Sequence, residues 1–135
     1  DPFEKGMRKI LNFGHTIGHV IEGHYMDTIN LSHGHAVAVG MVMEAFLSVK
    51  EGKLSQDEYE KIEFNILKYF TVPRFSDSDI KSMTGMLIND KKNDAHVIKC
   101  CLLSAIGKCS FDNVVSENRF TETFLHFKNL QINLN

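Results

Sequence analysis

The stretch from Ala36 to Val49, AVAVGMVMEAFLSV, is apolar on nearly every side when drawn as a helix, with Glu44 its one acidic interruption. A surface helix keeps one apolar stripe and one polar face, so a segment without a polar face has to be surrounded by other elements. The pattern predicts a helix from His33 to about Lys50 that runs through the middle of a bundle. It falls short of the ~20 residues that a membrane span requires. At 135 residues and 15.4 kDa the chain is long enough to close one core around that helix, and the expectation is a single, mostly α domain over residues 1–135.

The elements expected around it follow from local signals. A first helix is expected from Phe3 or Glu4, because Pro2 is tolerated where the first amides have no intrahelical partner. Met26 to Ser32 reads as a loop, with caps for the next helix between Asn30 and Ser32. Ser55 followed three residues later by Glu58 is a capping-box signature for a third helix that ends near Phe70, with Ile62, Ile66, Leu67 and Phe70 facing inward. Pro73 stops it. Asp77 or Ser78 is the expected cap of a fourth helix through Ile80, Met83, Met86 and Leu87. Val97 to Leu103 is the one strong strand pattern, and residues 111–115 are its expected partner in a small β ribbon. Ser116 then opens a last helix with Phe120, Phe124, Leu125 and Phe127.

Five of the seven histidines fall between Glu4 and His35. On a helix that turns about 100° per residue, Glu4, Arg8, Asn12, His15 and His19 occupy an arc of roughly 80°. Met7, Ile10, Leu11, Ile17, Val20 and Ile21 take the opposite side. A row of carboxylate, guanidinium, carboxamide and two imidazoles suits a site better than a solvated face. Gly14 and Gly18 each weaken a helix by about 1 kcal/mol relative to Ala, so their place beside the histidines asks for a close backbone approach by a ligand or a neighbouring helix. His15 and His19, at i and i+4, can point at one spot as helical metal ligands do, and His33 can cross to them from the next helix start. Thr16 follows His15 where the zinc-protease motif has Glu, so surface or hydrogen-bonded histidines remain an open reading. Glu4 and Arg8 equally suit a plain i, i+4 ion pair, and Lys91 and Lys92 a solvated pair at a helix end. Arg8 beside Asn12 offers forked donors to a carboxylate or phosphate, which the two lysines would complete. His24, His96 and His126 are expected to be structural or solvent-exposed, and His35 to point away from His33.

A net charge of −2 gives no electrostatic reason to expect nucleic acid or an anionic membrane as partner. Cys100, Cys101 and Cys109 lack C-x-x-C spacing and read as buried reduced thiols, which, with no signal peptide at the start, places the protein in the cytoplasm.

RKILNFGHTIGHVIE, then LSHGHAVAVGM, then NDKKN with CLLSAIG, in that order over most of residues 4–107, resemble the C-terminal domain of 3-dehydroquinate synthases. The resemblance implies the helical domain of an enzyme dependent on NAD and on zinc, or cobalt in its place, that converts 3-deoxy-D-arabino-heptulosonate 7-phosphate to 3-dehydroquinate and phosphate in the shikimate pathway, working as a homodimer. It implies His15 and His33 as zinc ligands, His19 as the catalytic histidine and Glu4 as a proton acceptor. Arg8, Asn12 and the Asp90-Lys91-Lys92 block would bind the phosphorylated sugar-acid substrate, with Lys91 favoured over Lys92. NAD would be held by a nucleotide-binding domain that this chain lacks, and the third zinc ligand, an acid, would lie upstream, so these residues by themselves are expected to fold and to catalyse nothing. Two positions depart from the family pattern: His35 stands where Glu is usual after His-Gly, and Ala95-His96 follow the lysines where glycine is common. Other sugar-phosphate cyclases, of the valiolone or inosose type, and a non-catalytic helical metal-binding module are the alternatives.

Overall fold

The computed structural model describes residues 12–89 and 97–134. Among these residues five helices and one hairpin follow in order: α1 (His15–Tyr25), α2 (His33–Lys50), α3 (Gln56–Leu67), α4 (Asp77–Ile88), β1 (Val97–Ala105), β2 (Lys108–Ser116) and α5 (Glu117–Leu134). The apolar segment is the central helix. From Val42 to Ser48 every residue of α2 is buried. Ser32 starts it by accepting the His35 N–H at 3.1 Å, as the sequence allowed. Around α2 close Ile17 and Ile21 of α1, Met83 of α4, Ile98 and Leu102 of β1, and Phe120, Phe124 and Phe127 of α5, all fully buried or nearly so.

Several boundaries differ from the sequence reading. The first helix is not continuous through Asn12, because Gly14 takes φ +87° and α1 begins at His15. The α2 helix packs close at this break: a Cβ at Gly14 would run into the Met41 side chain and the Val37 carbonyl. The expected start at Phe3 or Glu4 lies outside the described residues, and the helix runs on past Gly23 to Tyr25. The Ser55–Glu58 signature gives half a capping box: Ser55 accepts the Glu58 N–H, but the Glu58 carboxylate reaches across to the Ile106 N–H at 2.9 Å. The reciprocal box forms instead at Ser76 and Asp79, one residue before the caps expected for α4. The third helix ends at Leu67, and its predicted inner residues are only half-buried, while Tyr59 reaches the core. Met86 and Leu125, both expected inside, are exposed.

The ribbon is antiparallel and longer than expected. Cys100 pairs with Asn113 but Leu102 with Ser110, so β2 carries an extra residue, and Asp112 sits there at φ +57°. Cys100 and Cys101 are both buried, and no disulfide joins the three cysteines. No helix among the described residues is long and apolar enough to cross a membrane.

Candidate functional site

The α1–α2 crossing is made by glycines. A Cβ at Gly40 would stand 2.7 Å from the Gly18 nitrogen and also strike the Gly14 carbonyl, and a Cβ at Gly18 would press on the Val37 backbone. The neighbour that the glycines beside the histidines were expected to admit is therefore α2. Close approach of the two backbones lets side chains from both helices meet at their shared edge.

Three of them are histidines. The His15 and His19 ring centres lie 5.3 Å apart, those of His15 and His33 5.8 Å, and those of His19 and His33 6.1 Å. His15 is half-buried, whereas His19 and His33 are exposed. His15 Nδ1 faces the Phe13 carbonyl at 3.4 Å, and His33 Nδ1 donates to Glu22 Oε1 at 2.9 Å. With Nδ1 of each ring turned to an oxygen, Nε2 is the free face of both rings, the arrangement in which metal-binding imidazoles are commonly held. Glu22 went unnamed in the sequence reading, yet its place was legible. It lies three residues after His19 and seven after His15, on the same helical face. It also supplies a carboxylate to His33 in a chain whose residue 35 is not glutamate.

Two imidazoles that share one tetrahedral ion through nitrogens at about 2.0–2.1 Å set their ring centres roughly 5 Å apart. The His15–His33 separation is within an ångström of that. Among the described residues no three histidine, cysteine or acidic side chains stand close enough to enclose a metal unaided. The donor set fits a metal that takes two imidazoles here and further ligands from elsewhere.

The other expected residues divide. Asn12 is exposed in the turn before His15, and its carbonyl accepts the His15 N–H at 2.8 Å. Glu4, Arg8, Lys91, Lys92 and His96 lie outside the described residues. His35 turns to the segment after α3, where its Nε2 donates to the Thr71 carbonyl at 2.7 Å and its ring meets Phe70 edge-on. His24 binds Asp79 across to α4, and His126 stacks on Phe46, so both are structural. An apolar recess of about 470 Å³ lies beside Phe13, Met41, Ile62 and Ile66, and none of the histidines lines it.

Beneath the histidines lies a residue that the sequence showed only as an interruption. Glu44 is fully buried, and its two carboxylate oxygens accept the Gly14 and Ile17 N–H groups at 3.0 Å each. Burial pushes its carboxyl up to about 8, against the backbone donors of Ile17, Gly14 and Thr16, which pull it down.

This geometry has relatives. The 3-dehydroquinate synthase C-terminal family model matches residues 1–93. A 3-dehydroquinate synthase of Parabacteroides distasonis is 34% identical over 124 residues, covering 91% of this chain and 35% of that protein. One of Thermodesulfovibrio yellowstonii is 39% identical over 118 residues, 86% of this chain and 32% of that one. Among solved structures, a 2-deoxy-scyllo-inosose synthase complexed with carbaglucose-6-phosphate, NAD+ and Co2+ superposes with a TM-score of 0.73 at 28% identity, over 89% of this chain and 35% of the other. The chain thus spans about a third of the length of the relatives it matches. It belongs to the 3-dehydroquinate synthase family, whose C-terminal domain it matches over residues 1–93.

Proposed function

We propose that this chain is the metal- and substrate-binding part of a 3-dehydroquinate synthase, which turns 3-deoxy-D-arabino-heptulosonate 7-phosphate into 3-dehydroquinate and inorganic phosphate. The observation that carries the reading is the triangle of His15, His19 and His33, in which two rings are held through Nδ1 with Nε2 free. His15 and His33 would hold a zinc or cobalt ion, with an acidic ligand supplied by the remainder of a longer protein. When bound, the ion acts as a Lewis acid that lowers the pKa of substrate hydroxyls. NAD would be held by that same remainder, and the working enzyme would be a homodimer in the cytoplasm.

The chain's own residues then have distinct tasks. His19 is exposed, its ring set edge-on to His15, and it is the group positioned to accept and return a proton at the substrate. Glu4 is the second proton acceptor. Asn12 presents its carboxamide at the turn ahead of His15, and Arg8 with Lys91 and Lys92 supplies the cationic donors that orient the phosphate and carboxylate. Orientation matters because the elimination of phosphate and the intramolecular ring closure both take place on one held substrate.

A second reading, a cyclase that makes an inosose-type ring from another sugar phosphate, is favoured by the solved neighbour. Relatives named 3-dehydroquinate synthase share more identity, 34% and 39%, and favour the first. The test is phosphate release by the longer protein that contains this chain, offered heptulosonate phosphate and glucose 6-phosphate side by side. Turnover of heptulosonate phosphate alone is expected, and preference for the other sugar overturns the assignment. In the same protein His19→Ala should keep its metal and lose about 10²- to 10⁴-fold in kcat. Loss of metal together with activity would move His19 among the ligands.

A further inference from the structure

We propose that Glu44 is a positioning residue for the histidine triangle: from inside α2 it fixes where α1 begins, and so where His15 and His19 stand relative to His33. The first N–H groups of a helix have no partner within it, and they are usually met by a Ser, Thr, Asp or Asn side chain at the cap. At α1 the cap is Gly14, which has no side chain to offer. Four of the amides there nevertheless have an acceptor. The His15 N–H goes to the Asn12 carbonyl at 2.8 Å and the Gly18 N–H to the Gly14 carbonyl at 2.9 Å. Those of Gly14 and Ile17 both end on the Glu44 carboxyl group, one on each oxygen. Two of the four amides from Gly14 to Ile17 are thus tied to one side chain of another helix.

That side chain sits eleven residues after His33 on the same continuous helix. One rigid element therefore presents the third ring and also holds the start of the helix that carries the other two. A slip of α1 by one turn along α2 is 5.4 Å, as large as the distances between the rings themselves. The glycine contacts at Gly14, Gly18 and Gly40 set how near the two helices come, and Glu44 sets their register. A neutral amide of the same shape would turn an NH2 toward one of the backbone donors and leave that donor without an acceptor in the core.

The consequence for metal binding rests on the proposed function, but the positional claim does not, and the experiment separates them. Co2+ alone is the probe, titrated by visible absorption into the longer protein that contains this chain and into its Glu44→Gln, Glu44→Asp and Ser48→Ala variants. Backbone amide exchange is followed at Gly14 and Ile17. Ser48 is the control for stability: it is as buried as Glu44 and one turn further along α2. Its hydroxyl donates to the Glu44 carbonyl at 2.7 Å and accepts the Leu103 N–H at 2.9 Å, without touching α1. Glu44→Gln should weaken Co2+ binding by about tenfold or more, and expose the two amides, while Ser48→Ala keeps both at comparable loss of urea stability. If Glu44→Gln does not fold, Glu44→Asp, too short to reach both donors, should show the same two effects. Should the wild type bind no Co2+, the metal reading fails, and the amides decide the claim on Glu44 alone. Protection unchanged in the variants, or Co2+ binding lost equally in Ser48→Ala, overturns it.

Discussion

The two ends of α2 are held by opposite means. Toward its start, at Val37, Gly40 and Met41, it meets α1 by removing side chains, so that backbone approaches backbone and a buried carboxylate supplies the hydrogen bonds. Toward its end it meets α3 and α5 by adding bulk. The Phe46 ring lies 4.0 Å from His126 in a stack, 5.7 Å from Phe127 and 5.9 Å from Tyr59, both edge-on, and nearby Phe75 and Phe124 pack 5.5 Å apart. Aromatic packing is strong and tolerant of small adjustments, because many weak contacts share any displacement. A glycine crossing tied by directional bonds is not tolerant. It gives less apolar burial and finer control of position, and the histidines stand over that end.

The sharpest way to break this division is to damage the aromatic end. Phe124→Ala removes a fully buried ring, and the expected cost is about 3–5 kcal/mol of unfolding free energy, read from urea denaturation. If the ends are separate in function, the molecules that remain folded should bind Co2+ as the wild type does. A change in Co2+ affinity as large as that of Glu44→Gln would show that the site depends on the whole core and that the contrast is empty.

The converse substitution is Gly40→Ala. It adds only a methyl group, but that methyl meets the Gly14 carbonyl and the Gly18 nitrogen, which are backbone atoms and cannot rotate away. Overpacking of this kind costs about 1–3 kcal/mol. Less stability is lost than at Phe124, yet Co2+ binding and the His15–His33 spacing should suffer more, because α1 has to move as a body. Stability lost with the site intact would place the register elsewhere than in this crossing.

How much of each end could be read from the chain follows from the same contrast. The aromatic end was legible, since bulk at helical spacing announces burial: the apolar helix, the Phe120–Phe127 face and the ribbon were all expected and are all found, Leu125 excepted. At the glycine end, Gly14 and Gly18 signalled a close approach but not which element makes it. The break at Gly14 was missed because a stripe drawn on an ideal helix assumes that the helix continues, and the positive φ comes from Glu44 and α2, thirty residues away. Glu44 itself read as a flaw in an apolar run. A lone acid in a segment otherwise fully buried is better taken as a question about which donors it meets. Glu22 was within reach, on the same face as His15 and His19.

The smallest expected effect tests the far end of α1, where a side-chain pair does what Glu44 does at the near end. His24 Nε2 lies 2.7 Å from Asp79 Oδ1, which ties the last turn of α1 to the first turn of α4. Burial raises the Asp79 carboxyl, but the bonds from His24 and from the Ser76 backbone and hydroxyl outweigh it and hold it below the usual carboxylate range. Tyr25 also faces this carboxylate, and burial followed by the Asp79 charge keeps its phenol neutral. The folded value of Asp79 is below its unfolded one. Its contribution is therefore present above an unfolded value of about 3.9 and is lost as pH falls through the folded value. Asp79→Asn should cost about 1 kcal/mol or less near neutrality, since the group is part-exposed, and the gap from wild type should close as the pH is lowered toward about 2. Urea midpoints of the two proteins across that range measure it. Because α1 is held at its start by Glu44, Asp79→Asn should leave Co2+ affinity unchanged. A loss there would mean that the register of α1 is set from both ends, and that the crossing at Gly40 is one of two clamps.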